Sequence, residues 1–276
     1  MKTIALIVTL LCGAGLLFVA GGFPDWGDPN SPASTHVSDY YIEHTMEDTS
    51  VPNAVTSILA DYRGFDTMFE TSVIFTAALA CFMLLRVLGT PENMDETLYR
   101  HRSTGIVLKI TGKAVPVRTP SFIRVESHTA RYDFIVSRVS RLLIPFIQLF
   151  ALYVVAHGHH SPGGGFQGGV ILGASVLLLA LSHDLRTACE RFPERPLFLM
   201  LALGVLIYTG TGAVCMLYGQ NFLDYGALAP LLHVDPIQAR SLGIFFVEIG
   251  VAFTVMSTMV LIYSFISSRG RCDRGL

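Results

Sequence analysis

Long apolar runs separated by short polar stretches dominate this chain. Crossing the hydrocarbon core of a bilayer takes roughly 20 helical residues. Six runs reach or approach that length: residues 3–22, 67–89, 134–156, 165–184, 197–217 and 241–267. The fourth is the shortest in apolar content, because Val170 to Ser182 spans only if the glycine-rich stretch before it supplies the first turns. Met1-Lys2 ahead of an apolar run to Gly22 has the outline of a secretory signal. Leu11 is too large to precede a lipidated Cys12, and we expect a retained first span. Between the runs, Phe23 to Pro32 is rich in Pro, Gly, Asp and Asn and predicts irregular structure. Asn53 to Tyr62 carries Val55, Ile58, Leu59 and Tyr62 near helical spacing, which predicts a short helix on the membrane surface. In residues 90–132, β-branched positions around Thr111-Gly112-Lys113 make a small β-hairpin an option. The expected fold is an all-α integral membrane protein with six transmembrane helices.

Composition agrees: half of the residues are hydrophobic, 14% are charged, and the mean hydropathy is +0.53. That excludes an ordinary soluble domain. Charge then orients the spans. Phe23 to Asp61 has no Lys or Arg but carries Asp25, Asp28, Asp39, Glu43, Glu47, Asp48 and Asp61. Residues 90–132 hold Arg100, Arg102, Lys109, Lys113, Arg118, Arg124 and Arg131, and the turn at 157–169 holds no Lys or Arg. Arg186, Arg191 and Arg195 follow the fourth run, Arg240 alone marks 218–240, and Arg269, Arg271 and Arg274 lie near the end. By the positive-inside rule both termini are cytoplasmic in a multi-pass protein of the cell inner (plasma) membrane. A domain boundary is expected near 95, with two spans and the acidic outer loop 23–61 before it, and four spans and the glycine-rich outer turn 157–169 after it. The five cysteines have no CxxC spacing, so neither a zinc site nor a disulfide framework is expected. No cofactor and no nucleic-acid partner is expected.

Ionisable groups inside spans are costly and are functional candidates. Glu248 lies well inside the last run, about seven residues or 10 Å from Ser241. It reads either as a structural hydrogen bond to a neighbouring helix or as a proton or cation relay. Arg63, Asp66 and Glu70 share a helical face if the second span starts early. Alternatively, Thr67-x-x-Glu70 is a capping box that starts the span. Arg138 can snorkel, while the deeper Arg141 is expected to meet a carboxylate or helix carbonyls. His183-Asp184 reads as interfacial anchoring. The segment His157-Gly158-His159-His160-Ser161-Pro162-Gly163-Gly164-Gly165-Phe166-Gln167-Gly168-Gly169 is the most unusual in the chain. Lipid cannot satisfy free backbone groups, so it must lie at the interface or be shielded by protein. With no nearby Asp, Glu or Cys, its histidines favour interfacial hydrogen bonding or proton exchange over a metal. Its glycines allow close helix packing, Pro162 suits the first turn of the next helix, and Phe166 is the one large side chain able to fill a gap.

Ser140-Arg141-Leu142-Leu143-Ile144-Pro145 through His157-Gly158-His159 and Pro162-Gly163-Gly164-Gly165-Phe166-Gln167-Gly168-Gly169 closely resembles the B subunit of Mrp-type (Mnh-type) multisubunit sodium/proton antiporters. That family includes the related subunit of membrane-bound hydrogenase and sulfur-reducing complexes. The resemblance covers roughly 130–268. Ala60 to Glu70 is similar to a motif near the C-terminal end of the antiporter A subunit, where glycine usually precedes the glutamate and Phe69 stands here. The chain thus resembles a fusion of an A-subunit tail with a B subunit. The resemblance implies a non-catalytic subunit of a large assembly coupling proton and cation movement. Its partners would include large antiporter-like subunits that resemble the pumping subunits of respiratory complex I. Lys2, Lys109 and Lys113 lie at or outside the membrane edge, so this chain is not the main proton channel. Its ion-path candidates are Glu70, Glu248, Asp66, His157 and His159. Pro162, Gly163, Gly164, Gly165 and Phe166 form the structural or gating motif, and Arg63 and Arg141 are ion-pair candidates. The same module in a redox-driven pump, or a purely structural scaffold, are the competing expectations.

Overall fold

The computed structural model describes residues 2–87, 96–101, 103–104, 106–111, 122–125, 134–183, 185–268 and 270. The helices are α1 (Lys2–Ala20), α2 (Ser38–Thr49), α3 (Ala54–Ser57), α4 (Gly64–Phe82), α5 (Phe134–Ala156), α6 (Gly165–Ser182), α7 (Leu185–Arg191), α8 (Glu194–Leu217), α9 (Ala229–Leu232) and α10 (Pro236–Ser268). Of these, α1, α4, α5, α6, α8 and α10 are long and apolar enough to cross a membrane. Several start earlier than hydropathy suggests, because their first turns are polar. Pro193 is extended and introduces Glu194-Arg195-Pro196 into α8, and Pro236 opens α10 five residues before Ser241. Glu248 therefore stands 12 residues into α10, about 18 Å along the helix.

The 33-residue α10 is the central post. Val247, Val251 and Val255 join Tyr208 and Tyr225 in one core cluster, and Val51 and Ala60 from the front of the chain complete it. Deeper along α10, Met256, Val260, Leu261 and Phe265 pack with Ala78 of α4, Val176 of α6 and Leu201 of α8. The core is thus shared across the boundary expected near 95. By contrast, α1 is exposed along most of its length.

Asn53 to Tyr62 is helical as its spacing predicts, but as α3 followed by a π-helical turn, Ile58–Tyr62. Thr56, Ser57 and Ala60 are buried there while Val55 and Leu59 are exposed, so one face of the segment packs on the protein and the other carries apolar side chains outward. Three strands, β1 (Glu96–His101), β2 (Val107–Thr111) and β3 (Phe122–Val125), form an antiparallel sheet in the order β2-β1-β3. Tyr99 faces Leu108 across one pair and Arg124 across the other. Between β1 and β2, His101 N–H donates to Ile106 O at 2.8 Å; the turn expected at Gly112-Lys113 lies outside the described residues. Loops 23–61, 157–164 and 218–235 meet at one end of the bundle, as shown by Asn53 on Gly158 and Tyr225 on Ala60. At the other end Arg86 pairs with Glu194.

Candidate functional site

The site is a carboxylate held against bare backbone. Gly163 and Gly164 have φ of +147° and +146°, a conformation open to glycine and rarely adopted by other residues. They carry the chain from the histidine turn into α6. The first glycines of that helix then lie directly on α10. A Cβ on Gly165 would strike the Glu248 carbonyl, one on Gly169 would sit 2.9 Å from the Ala252 oxygen, and one on Gly173 would sit 3.1 Å from the Met259 Cβ. On the flank facing α5, Gly168 packs against Ala151 and Val155. This i, i+4, i+8 strip of glycines is the close helix packing expected of small residues in a membrane.

The consequence is the position of Glu248. Its side chain projects into the turn, where a Cβ on Gly158 would be 2.9 Å from Oε2 and one on Gly164 would collide with Oε1. The Gly165 N–H is directed at the carboxylate as a donor. Glu248 is only 8% exposed, and Oε2 has no hydrogen-bond partner among the described residues. A buried carboxylate oxygen without a partner is costly, and it is free to take a proton or a cation.

The turn is clamped from the front half of the chain. Asn53 Nδ2 donates to the carbonyls of Gly158 (2.9 Å) and Ser161 (2.8 Å), its own N–H donates to His159 O (3.0 Å), and Thr56 Oγ1 donates to Gly158 O (2.9 Å). Asn53 also caps α3 by accepting from the Val55 N–H. Sequence reasoning did not single out Asn53 or Thr56; an Asn after Pro52 and before an apolar-periodic run is an N-cap signal, but nothing in it announces a long-range contact. Nor did it pair Asp61 with Arg240, whose Nε donates to Asp61 Oδ2 at 2.8 Å. That partnership was accessible in principle: Arg240 is the lone Lys or Arg of its loop and Asp61 closes a loop whose charges are all acidic. Burial raises Asp61 above the ordinary carboxylate range, against the opposing pull of Arg240.

The predicted histidines divide. His157 stacks on Tyr153 (5.0 Å between centroids) and neighbours His160 (5.3 Å). His159 turns to Phe245 (6.0 Å), and its Nε2 is buried with no partner among the described residues. Burial lowers its imidazole below the ordinary histidine range, and His160 adds to this, both disfavouring the charged ring. One other expectation is corrected. Pro162 lies outside α6, whose N-cap is Gly164, so it is not in the first helical turn. Phe166 is 41% exposed, because the glycines on either side of it occupy the buried face.

On α4, Arg63 and Asp66 form the expected ion pair, with both side chains largely exposed. The capping box is not formed: the helix begins at Gly64, which leaves Thr67 inside the first turn, donating to Leu59 O at 2.7 Å. Glu70 is exposed on α4 and does not join Glu248 directly. Tyr208 lies within electrostatic reach of both carboxylates. Among the described residues Arg141 meets His183 Nε2 at 3.4 Å; the Asp184 that follows lies outside them. Arg138 lies over the Phe134 ring at 5.0 Å.

Comparison with known proteins bears on the whole chain. Residues 135–261 match a domain related to the MnhB subunit of Na+/H+ antiporters, and residues 2–101 match the MbhE family, the E subunit of MBH. A putative antiporter subunit mnhB2 of Staphylococcus aureus (strain Newman) is 32% identical over 133 residues, 46% of this chain and 94% of that protein. A probable K+/H+ antiporter A/B subunit of Rhizobium meliloti (strain 1021) is 27% identical over 258 residues, 93% of this chain; the chain spans 24% of that relative's length. In fold, it resembles a chain of the Mrp complex from Dietzia sp. DQ12-45-1b, with a TM-score of 0.55, 22% identity and coverage of 99% of this chain and 26% of that one. A chain of the membrane-bound sulfane sulfur reductase, an archaeal respiratory membrane complex, gives a TM-score of 0.50 at 24% identity, covering 94% of this chain and 97% of that one. With a helical bundle whose glycine turn encloses a buried glutamate, and with the mnhB2 relative covered almost end to end, the chain is a multi-pass membrane protein that belongs to the family of the MnhB subunit of Na+/H+ antiporters.

Proposed function

We propose that this chain is a non-catalytic membrane subunit of a multisubunit cation/proton antiporter, and that Glu248 is its principal ionisable station. One observation carries this: a carboxylate deep in a membrane helix, pressed against the backbone of Gly158, Gly164 and Gly165, with one oxygen free of hydrogen bonds among the described residues. A group built only for packing has every reason to be fully bonded. Glu70, with Asp66 nearby, forms a second station on α4, exposed where other subunits of the assembly dock yet within electrostatic reach of Tyr208. His157 and His159 flank the outer approach, and Pro162 and Phe166 shape the same joint against a neighbour. Both termini are cytoplasmic, the histidine turn faces outward, and the chain resides in the cell inner membrane. Its partners are the other subunits of the assembly, including large antiporter-like ones.

The test is Glu248→Gln and Glu70→Gln in the complete complex, assayed in membrane vesicles by pH-sensitive dye with Na+ and K+ in turn. Most of the exchange should be lost while the assembly purifies intact. Undiminished exchange in both variants would leave only the scaffold role. A second reading is favoured by the MbhE match over residues 2–101: the same module within a redox-driven ion pump. Copurification of iron–sulfur subunits under mild detergent separates the two.

A further inference from the structure

We infer that Tyr208 and Tyr225 are positioning residues for Glu70 relative to Glu248, their two hydroxyls pinning the helix break from which α4 starts. The inference rests on the proposed roles of the two carboxylates. Both tyrosine side chains are fully buried, and a buried phenol must find an acceptor. Each finds it in the front half of the chain. Tyr208 Oη donates to Gly64 O at 2.8 Å, and Tyr225 Oη donates to Ala60 O at 2.9 Å. These carbonyls straddle Arg63, whose φ of −121° and ψ of 35° separate the π-helical turn from α4. A Cβ on Gly64 would be 3.7 Å from each hydroxyl, so the two phenols converge on one point.

The Tyr225 ring is itself held by the helix that carries Glu248, while Tyr208 stands on α8. A Cβ on Gly243, five residues before Glu248 on α10, would strike the Tyr225 ring. The connection therefore runs from α10 through Tyr225 and Tyr208 to the start of α4, and Glu70 lies six residues into that helix. The charged and titratable groups within electrostatic reach of the pair are Glu248 of α10, Glu70 of α4, Asp61 of the preceding turn and Cys215 of α8, with the Thr67 hydroxyl beside Tyr208. Without either hydroxyl the break loses a fixed contact, and α4 can pivot about Arg63.

The experiment uses Tyr208→Phe and Tyr225→Phe in the complete complex, reconstituted into vesicles, with exchange measured against pH and against Na+ and K+ concentration. Assembly should be retained, with the apparent cation KM changed by about threefold or the pH midpoint moved by about half a unit. Packing alone would move neither. Assembled variants with wild-type midpoint and KM overturn the inference. If Tyr208→Phe does not assemble, Tyr225→Phe, outside the spans, decides by the same criterion. Glu248→Gln and Glu70→Gln are run alongside. Lost exchange in these with unmoved tyrosine profiles overturns the tyrosine role and leaves the proposed function standing; full exchange in both removes the proposed function itself.

Discussion

Gly165 shows how much rests on one missing methyl group. Its hypothetical Cβ would overlap the Glu248 carbonyl and lie 2.9 Å from the Glu248 Cα, so the obstacle is backbone and cannot rotate away. Gly165→Ala must push α6 off α10, an overpacking cost of about 1–3 kcal/mol. Gly210, in the interior of α8, has no atom within 4 Å of its Cβ position. There Gly→Ala removes only the backbone entropy of glycine, worth about 0.5–1 kcal/mol in the stabilising direction. The two substitutions are therefore expected to shift the thermal unfolding temperature of the detergent-solubilised complex in opposite directions. Gly165→Ala should also blunt exchange, because the carboxylate cradle opens with the helices; a Gly165→Ala complex as stable as wild type would show that the contact with α10 is loose. The string of glycines was legible in the sequence as a site of close approach. The identity of the side chain that they enclose was not, because Glu248 is more than 80 residues away and helix periodicity says nothing about which helix a glycine face will meet.

At the level of elements, the least predictable part was the segment joining the acidic loop to α4. Its helical spacing is plain, and its early start and the Arg63–Asp66 pair follow from i, i+3 geometry. The capping box failed because local pattern competes with tertiary contacts: Tyr208 and Tyr225 fix the break at Arg63, four residues upstream of Thr67. Asp61 and Arg240 complete that junction, and the two ends of the pair are unequal. The Asp61 side chain is 5% exposed and that of Arg240 is 28% exposed. Arg240→Met strands a buried carboxylate, at about 3 kcal/mol. Asp61→Asn leaves a guanidinium that still reaches water and lies 5.9 Å from the Tyr62 ring, at about 1 kcal/mol. The pH dependence follows in sign. Burial raises the folded-state pKa of Asp61 above its unfolded value. Its contribution is fully present below the unfolded pKa and is lost as pH rises through the raised folded value. Without Arg240 that upward shift grows. Arg240→Met should therefore recover stability on mild acidification more than wild type does, and Asp61→Asn should lack this component. Unfolding temperatures across pH would reveal it; equal costs for the two variants would mean that the pair is effectively solvated.

For the whole molecule, six apolar runs were enough to expect a six-helix membrane protein, and the long basic stretch 90–132 after the second run suggested a division near residue 95. Neither revealed that the two parts share their core. Ala60 and Ala78 of the front part are buried among side chains of α6, α8 and α10, and the ties lie at both ends of α4. At one end Asn53 and Thr56 hold Gly158, Tyr208 and Tyr225 hold the break before α4, and Arg240 holds Asp61. At the other end Arg86 holds Glu194, and between them Thr258 Oγ1 donates to Ile74 O at 3.4 Å. None of these contacts needs the peptide connection between residues 87 and 96. If the chain is cut there and the two pieces are expressed together, they are expected to copurify in mild detergent and to support exchange. The association should depend on the clamp made by Asn53 and Thr56. Asn53→Ala together with Thr56→Ala removes the side-chain donors to the Gly158 and Ser161 carbonyls, each worth about 1 kcal/mol. Through a total near 3 kcal/mol this should weaken pairing of the fragments by about a hundredfold, while the same changes in the uncut chain are masked by covalent linkage and lower stability only moderately. Pieces that fold but do not associate would place the boundary elsewhere and make the 87–96 connection itself part of the joint.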